Sequence, residues 1–221
     1  MDRRINPIHF FSMLKKSLDT PLPGLAAQLN MVPDPRPGNK VYTEVLESCK
    51  KAGVLVLLYP KGSRVFVVLT KRTDFLELHQ AQISFPGGRQ EKGETIEQTT
   101  LRETHEELGI LPSVIQILGQ LTPLYIPPTN YCIYPVVAWI NEQPQFIPSP
   151  FEVAEVLEIP LSYLADPNTI QREIWTLYGK DVDVPFYFFE DNKIWGATAM
   201  VLAEFLAILK SIAEWRGNED I

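Results

Sequence analysis

The sequence predicts an α/β (α+β) protein in a single domain, with a mixed β-sheet sandwiched between α-helices. Three observations carry that prediction: apolar runs of strand length recur through the middle of the chain, helical periodicity marks both ends and one central segment, and turn-forming residues punctuate the junctions. With 221 residues, 45% of them hydrophobic and 21% charged, the chain can bury a core without staples and is too apolar to stay disordered.

The first element is a helix. Asn6 is a candidate cap, Pro7 suits the first helical position, and Phe10, Phe11, Leu14 and Leu18 recur at helical spacing before Pro21 and Pro23 end the run. Residues 31–39, MVPDPRPGN, hold three prolines and a glycine and read as an irregular connection. Residues 1–45 are therefore expected to form a helical N-terminal extension with a proline-rich connection, and residues 46–216 the main domain including a C-terminal helix.

Residues 53–59 and 64–70 are β-rich and flank Pro60, Lys61, Gly62 and Ser63, which is the pattern of a hairpin. A central helix is signalled over 95–108: Thr95 and Gln98 have capping-box spacing, and Gly109 stands where a left-handed C-terminal residue is wanted. Further strands are expected at 116–121, 131–140, 153–159 and 184–189. The run 197–215, with Met200, Phe205, Leu206 and Leu209 among its apolar positions, is again helical and expected to pack on the sheet.

The net charge of −7 excludes a broad electrostatic grip on nucleic acid, so an anionic ligand needs bound cations or a local basic pocket. Cys49 and Cys132 lie far apart without a metal-ligand pattern, and are expected to be two inert thiols in a reducing compartment. The opening MDRRINP lacks the apolar core of a secretory signal. The apolar runs 54–59 and 200–209 are too short to span a bilayer, and Glu204 interrupts the second. The expectation is a cytoplasmic protein with no membrane span.

The most informative segment is 88–110, GRQEKGETIEQTTLRETHEELGI. At about 100° per residue, Glu103, Glu106 and Glu107 share one helical arc of roughly 100°. Like charges at that spacing, near a helix C-terminus, disfavour the helix unless something positive compensates them. Hard divalent cations prefer carboxylate oxygens, so this face is a candidate Mg²⁺ or Mn²⁺ site; a solvated acidic face partnered by Arg102 and Lys92 is the simpler alternative.

The segment resembles the Nudix box: Gly, five residues, Glu, seven residues, Arg-Glu, two residues, Glu-Glu, one residue, Gly. Gly88, Glu94, Arg102, Glu103, Glu106, Glu107 and Gly109 fill it, and Thr104 alone stands where an apolar residue is usual. The resemblance implies the Nudix fold. It also implies that Glu103, Glu106 and Glu107 ligate Mg²⁺ or Mn²⁺ with help from the Gly88 carbonyl, and that Arg102 pairs with Glu94 to brace the loop against the helix. Gly87 and Gly88 would let backbone come close to metal and phosphate.

Upstream, residues 68–88, VLTKRTDFLELHQAQISFPGG, look like the signature that accompanies the box in coenzyme A diphosphatases. Leu69, Thr70, Arg72, Phe85, Pro86, Gly87 and Gly88 match it; Val68, Thr73 and Ala81 are relaxed positions, and Glu77 stands where the signature has a second Arg. IPPTNY (126–131), residues 151–161 and KIWGAT (193–198) look like later parts of the same enzymes. Arg72 is the candidate phosphate contact, since a guanidinium fork matches phosphate oxygens. The family brings an acidic residue into the loop before the 153–159 strand, which makes Glu152 a candidate metal ligand or base and Glu155 its alternative. His79 reads as structural.

The resemblance implies hydrolysis of coenzyme A or acyl-coenzyme A to 4′-phosphopantetheine and 3′,5′-ADP, with Glu103 or Glu152 accepting the proton of water. Glu77 and Ala81 motivate a second reading, the same chemistry on ADP-ribose or a dinucleotide. A ligand-binding module without turnover is a third. A small-molecule nucleotide is the expected partner, without nucleic acid or membrane, and a homodimer is compatible with the family.

Overall fold

The computed structural model describes residues 7–35, 48–73, 82–177 and 179–212. The Asn6 cap, residues 36–47, Glu77, His79, Ala81 and the expected last turn to Trp215 lie outside the described residues. Among the described residues, two antiparallel-rich sheets and five α-helices follow in chain order. Helices α1 (Pro7–Leu18) and α2 (Gly24–Gln28) precede strands β1 (Lys50–Lys61), β2 (Arg64–Arg72), β3 (Ile83–Ser84) and β4 (Gly87–Arg89). Helix α3 (Ile96–Leu108) is followed by β5 (Gln116–Gln120), β6 (Leu124–Ile126), β7 (Tyr131–Trp139) and β8 (Val153–Pro160). Helix α4 (Leu161–Ala165), β9 (Ile170–Leu177), β10 (Lys180–Phe189), β11 (Asn192–Trp195) and α5 (Gly196–Ser211) follow.

Eight strands form one mixed sheet of order β3-β2-β1-β7-β5, with β4 paired to β1, β6 to β7 and β8 to β2. The parallel pair of β1 with β7 runs in unbroken register from Lys50 opposite Tyr131 to Leu58 opposite Trp139. The run VLVLLY of β1 is continuously apolar because both faces of the sheet are covered. Leu55, Leu57 and Tyr59 pack with Leu108 and Ile110 from α3 and its exit. Val56 and Leu58 face the opposite layer, where Phe10, Phe11, Leu14 and Leu18 of α1 join Phe205, Leu206 and Leu209 of α5.

The hairpin forms where expected, but β1 extends through Pro60 and Lys61, leaving only Gly62 and Ser63 as the turn. Pro60 is tolerated because β7 stops pairing at Leu58, so no neighbour there calls on the missing N–H. The strand expected at 184–189 is longer, and belongs to a separate three-stranded sheet of order β11-β10-β9. Strand β9, IQREIWTL, was not foreseen. Six of its eight residues are exposed, so it lacks the alternation that reveals a half-buried strand.

The N-terminal segment is woven into the rest. The Phe11 ring lies 4.0 Å from the Trp139 ring on β7, and Asp34 exchanges backbone hydrogen bonds with Asp183 of β10. Glu204 of α5 is fully buried. Its carboxyl oxygens accept from Gly24 N at 3.1 Å, Thr122 N at 3.3 Å and Gln28 Nε2 at 2.8 Å, tying α2 to α5.

The cysteines overturn the expectation of two inert thiols: Cys49 and Cys132 are joined as a disulfide, their Cα atoms 5.7 Å apart. The β1–β7 register, with Lys51 opposite Cys132, brings them together, and such pairing cannot be read from two residues 83 apart. A cross-link over so long a span restricts the unfolded chain and stabilises by roughly 2–4 kcal/mol. Among the described residues, no helix is long and apolar enough to cross a membrane.

Candidate active site

Helix α3 is built by its own ends. The Thr95 side chain accepts from Gln98 N while the Gln98 side chain accepts from Thr95 N, closing a capping box, and Gly109 ends the helix at φ +71°. Strand β4 runs antiparallel to β1, which lays Gly87 against Val54 and Gly88 against Gly53. Both glycines are required by what surrounds them. A Cβ at Gly87 (φ +152°) would sit 2.2 Å from the Gly53 carbonyl oxygen, and one at Gly88 would sit 2.4 Å from the Glu103 carboxyl carbon. The Gly88 backbone therefore lies directly against the Glu103 carboxylate.

Arg102 is the hub of the site. Its Nε donates to Glu94 Oε1 at 2.7 Å and its Nη2 to Glu94 Oε2 and the Arg89 carbonyl, both at 3.2 Å. Its Nη1 donates to Glu103 Oε1 at 2.8 Å and Glu106 Oε2 at 3.0 Å. Glu94 also accepts from Thr99 Oγ1 at 2.8 Å and Glu91 N at 3.0 Å. Hydrogen bonds to the charged form, Arg102's first, hold the Glu94 carboxyl down to about 2. Thr99 was not anticipated; nothing local to its sequence position marks it.

The acid limb of stability should report this brace. Stability from Glu94 is complete above its ordinary value of 4.5 and is lost as pH falls toward about 2. Glu94→Gln is expected to flatten thermal unfolding profiles over that window; a variant whose profile there parallels the parent's would remove Glu94 from the brace.

Glu107 is the enclosed carboxylate, only 3% exposed, with Gly87 N donating to its Oε2 at 3.3 Å. Burial pushes it up to about 8; the Arg72 charge and the Gly87 N–H pull it back, while Glu103 and Glu152 push it further. Glu103 is also raised, first by burial, with Glu106 and Glu152 adding to the effect against Arg102. Glu106 is the outer member, its side chain half exposed.

Arg72 and Glu152 reach the site through the β2–β8 pairing, whose register shifts between Lys71 and Arg72 so that Lys71 faces Glu155 and Arg72 faces Val153. Glu155 is consequently drawn to Lys71, 3.8 Å away, and Glu152 is the residue whose charge bears on Glu103 and Glu107. The loop that carries it is fastened to α3: Ile147 N donates to the Leu108 carbonyl at 2.8 Å and Ser149 N to the Glu107 carbonyl at 2.9 Å. Thr73 fastens it to β2, and neither Ser149 nor Thr73 was singled out for this in the sequence.

Among the described residues, no three His, Cys, Asp or Glu side chains converge tightly enough to hold an ion as they stand. Arg102 draws Glu103 and Glu106 to itself, and Glu107 turns to Gly87. The donor set nevertheless fits a hard divalent cation. Oxygen ligands predominate, and Glu103 and Glu107, whose charge burial disfavours, also feel the charge of Glu152, a repulsion that a cation would relieve.

A profile of the NUDIX domain matches residues 50–175. Peroxisomal coenzyme A diphosphatase NUDT7 of Mus musculus is 30% identical over 145 residues, which span 65% of this chain and 61% of the mouse protein. An uncharacterized Nudix hydrolase NudL of Photorhabdus laumondii is 31% identical over 178 residues, 79% of this chain and 89% of its own. A MutT/nudix family protein of Enterococcus faecalis superposes with a TM-score of 0.50 at 18% identity, covering 93% of this chain and 75% of its own, a likeness of fold alone. A strand, loop and helix that press a glycine backbone onto a buried glutamate are thus matched by a domain profile over more than half the chain, and the protein belongs to the Nudix family of hydrolases.

Proposed function

We propose that the protein hydrolyses the phosphoanhydride bond of a nucleoside diphosphate conjugate, with coenzyme A or acyl-coenzyme A as substrate and 4′-phosphopantetheine and 3′,5′-ADP as products. The observation that carries the reading is the buried Glu107, crowded by Glu103 and Glu152 and offset by Arg72, against the glycine backbone at 87–88. The likeness to the mouse coenzyme A diphosphatase and the partial signature at 68–88 support the choice of substrate.

Glu103, Glu106 and Glu107, with the Gly88 carbonyl, would hold Mg²⁺ or Mn²⁺, which neutralises diphosphate charge and acidifies the attacking water. Arg72 binds a phosphate oxygen of the substrate from the end of β2. Glu152 or Glu103 accepts the proton released from water as its oxygen attacks phosphorus. Arg102 keeps Glu103 oriented while its other nitrogens stay on Glu94 and the Arg89 carbonyl.

Incubation with coenzyme A and Mg²⁺, followed by mass spectrometry, should yield both products. Absence of phosphopantetheine at high enzyme concentration rejects this substrate. Glu77, in place of a second Arg, favours one other reading, the same cleavage of ADP-ribose or a dinucleotide. Faster turnover of either conjugate than of coenzyme A would establish that reading instead.

A further inference from the structure

Phe151 is the most exposed large apolar side chain among the described residues, at 81%, and it immediately precedes Glu152. Its backbone is held on both sides. Thr73 Oγ1 donates to the Phe151 carbonyl at 2.9 Å and Thr73 N to the Glu152 carbonyl at 3.2 Å, fastening the pair to the end of β2 beside Arg72. Ser149 N donates to the Glu107 carbonyl, and the Ser149 carbonyl in turn accepts from Glu152 N at 3.1 Å and Val153 N at 2.9 Å. Val153, two residues on, is buried. A phenyl ring in water is thus carried on a stretch anchored to the two elements that supply Arg72 and Glu107.

Single exposed apolar side chains are ordinary, as Ile174 at 68% and Leu111 at 56% show; what sets Phe151 apart is its place beside Glu152 on a stretch bonded to both β2 and α3. We propose that Phe151 is a specificity-determining residue: its ring is the stacking face for the planar nucleobase of the substrate, whose diphosphate lies on Arg72 and the Glu103–Glu107 pair. This rests on the hydrolase reading. A flat base covers a single exposed ring at little entropic cost, whereas a flexible arm needs a groove and loses rotamer freedom on binding. The ring acts on affinity for the nucleoside half of the substrate, and the carboxylates act on the diphosphate.

The test compares ADP with inorganic pyrophosphate, each titrated calorimetrically in Mg²⁺ into the parent protein, Phe151→Ala and Phe151→Trp. Phe151→Ala should weaken ADP roughly ten-fold and leave pyrophosphate within about two-fold, and Phe151→Trp should restore ADP binding. In turnover the loss should appear in KM more than in kcat. Equal weakening of both ligands, unchanged ADP binding, or a parent protein that binds ADP no better than pyrophosphate overturns the proposal. Because the titrations need no turnover, they read Phe151 even if no conjugate is hydrolysed, an outcome that would instead remove the hydrolase reading.

Discussion

Glu107→Gln is expected to lower kcat by about 10³-fold or more at saturating Mg²⁺, while leaving the fold intact. Glutamine has the same shape and can still accept the Gly87 N–H, so nothing in the packing around α3 need move. What it lacks is the negative charge that the surroundings hold at a cost. Steady-state assay of the purified variant checks the loss, and turnover equal to the parent's would take Glu107 out of the site.

The same substitution carries a stability signature with a definite sign. In a chelator, the Glu107 carboxyl of the folded protein is lifted from its ordinary 4.5 to about 8, so the folded state binds its proton more tightly than the unfolded state does. The stability from this group is complete below 4.5 and is lost as pH rises toward 8. Glutamine does not titrate. Thermal unfolding should therefore show the variant gaining on the parent across that window, and added Mg²⁺ should narrow the gap by stabilising the parent selectively. A gap that does not change with pH would show that Glu107 is not held in its raised state by burial.

Glu204→Ala should cost about 3–5 kcal/mol, the range for removing one partner from a buried charged or hydrogen-bonded set. Gly24 N, Thr122 N and the Gln28 amide would all lose an acceptor inside the core, and a cavity would open in α5. In a domain of this size that corresponds to a drop in Tm of about 8–15 °C. Urea unfolding measures it directly; a loss below about 1 kcal/mol would mean that water replaces the carboxyl and that α2 is not secured through it.

The parts of the fold legible in the sequence are those whose causes lie within a few residues. The capping box of Thr95 and Gln98, the Gly109 terminus and the Arg102–Glu94 spacing all act along one helix and its flanking turns. The hairpin of β1 and β2 needs only a Gly-Ser turn between two apolar runs. Strand β9 escaped notice because it is mostly exposed, and exposure removes the apolar alternation on which recognition depends. Glu106 shared an arc with Glu103 and Glu107 in the helical projection, yet it stands half exposed, because only the part of that arc nearest β4 is covered.

By itself the sequence singled out the candidates for the chemistry: the carboxylates of α3, their bracing arginine, the glycine pair, Arg72 and Glu152. Only the tertiary structure decided which of them meet. The β2–β8 register brings Arg72 and the Glu152 loop to Glu107 and turns Glu155 toward Lys71. The parallel β1–β7 ladder joins Cys49 to Cys132. Helical spacing is a property of neighbouring residues, whereas register is chosen by which faces of distant strands can be buried together, a quantity that exists only once the sheet is assembled.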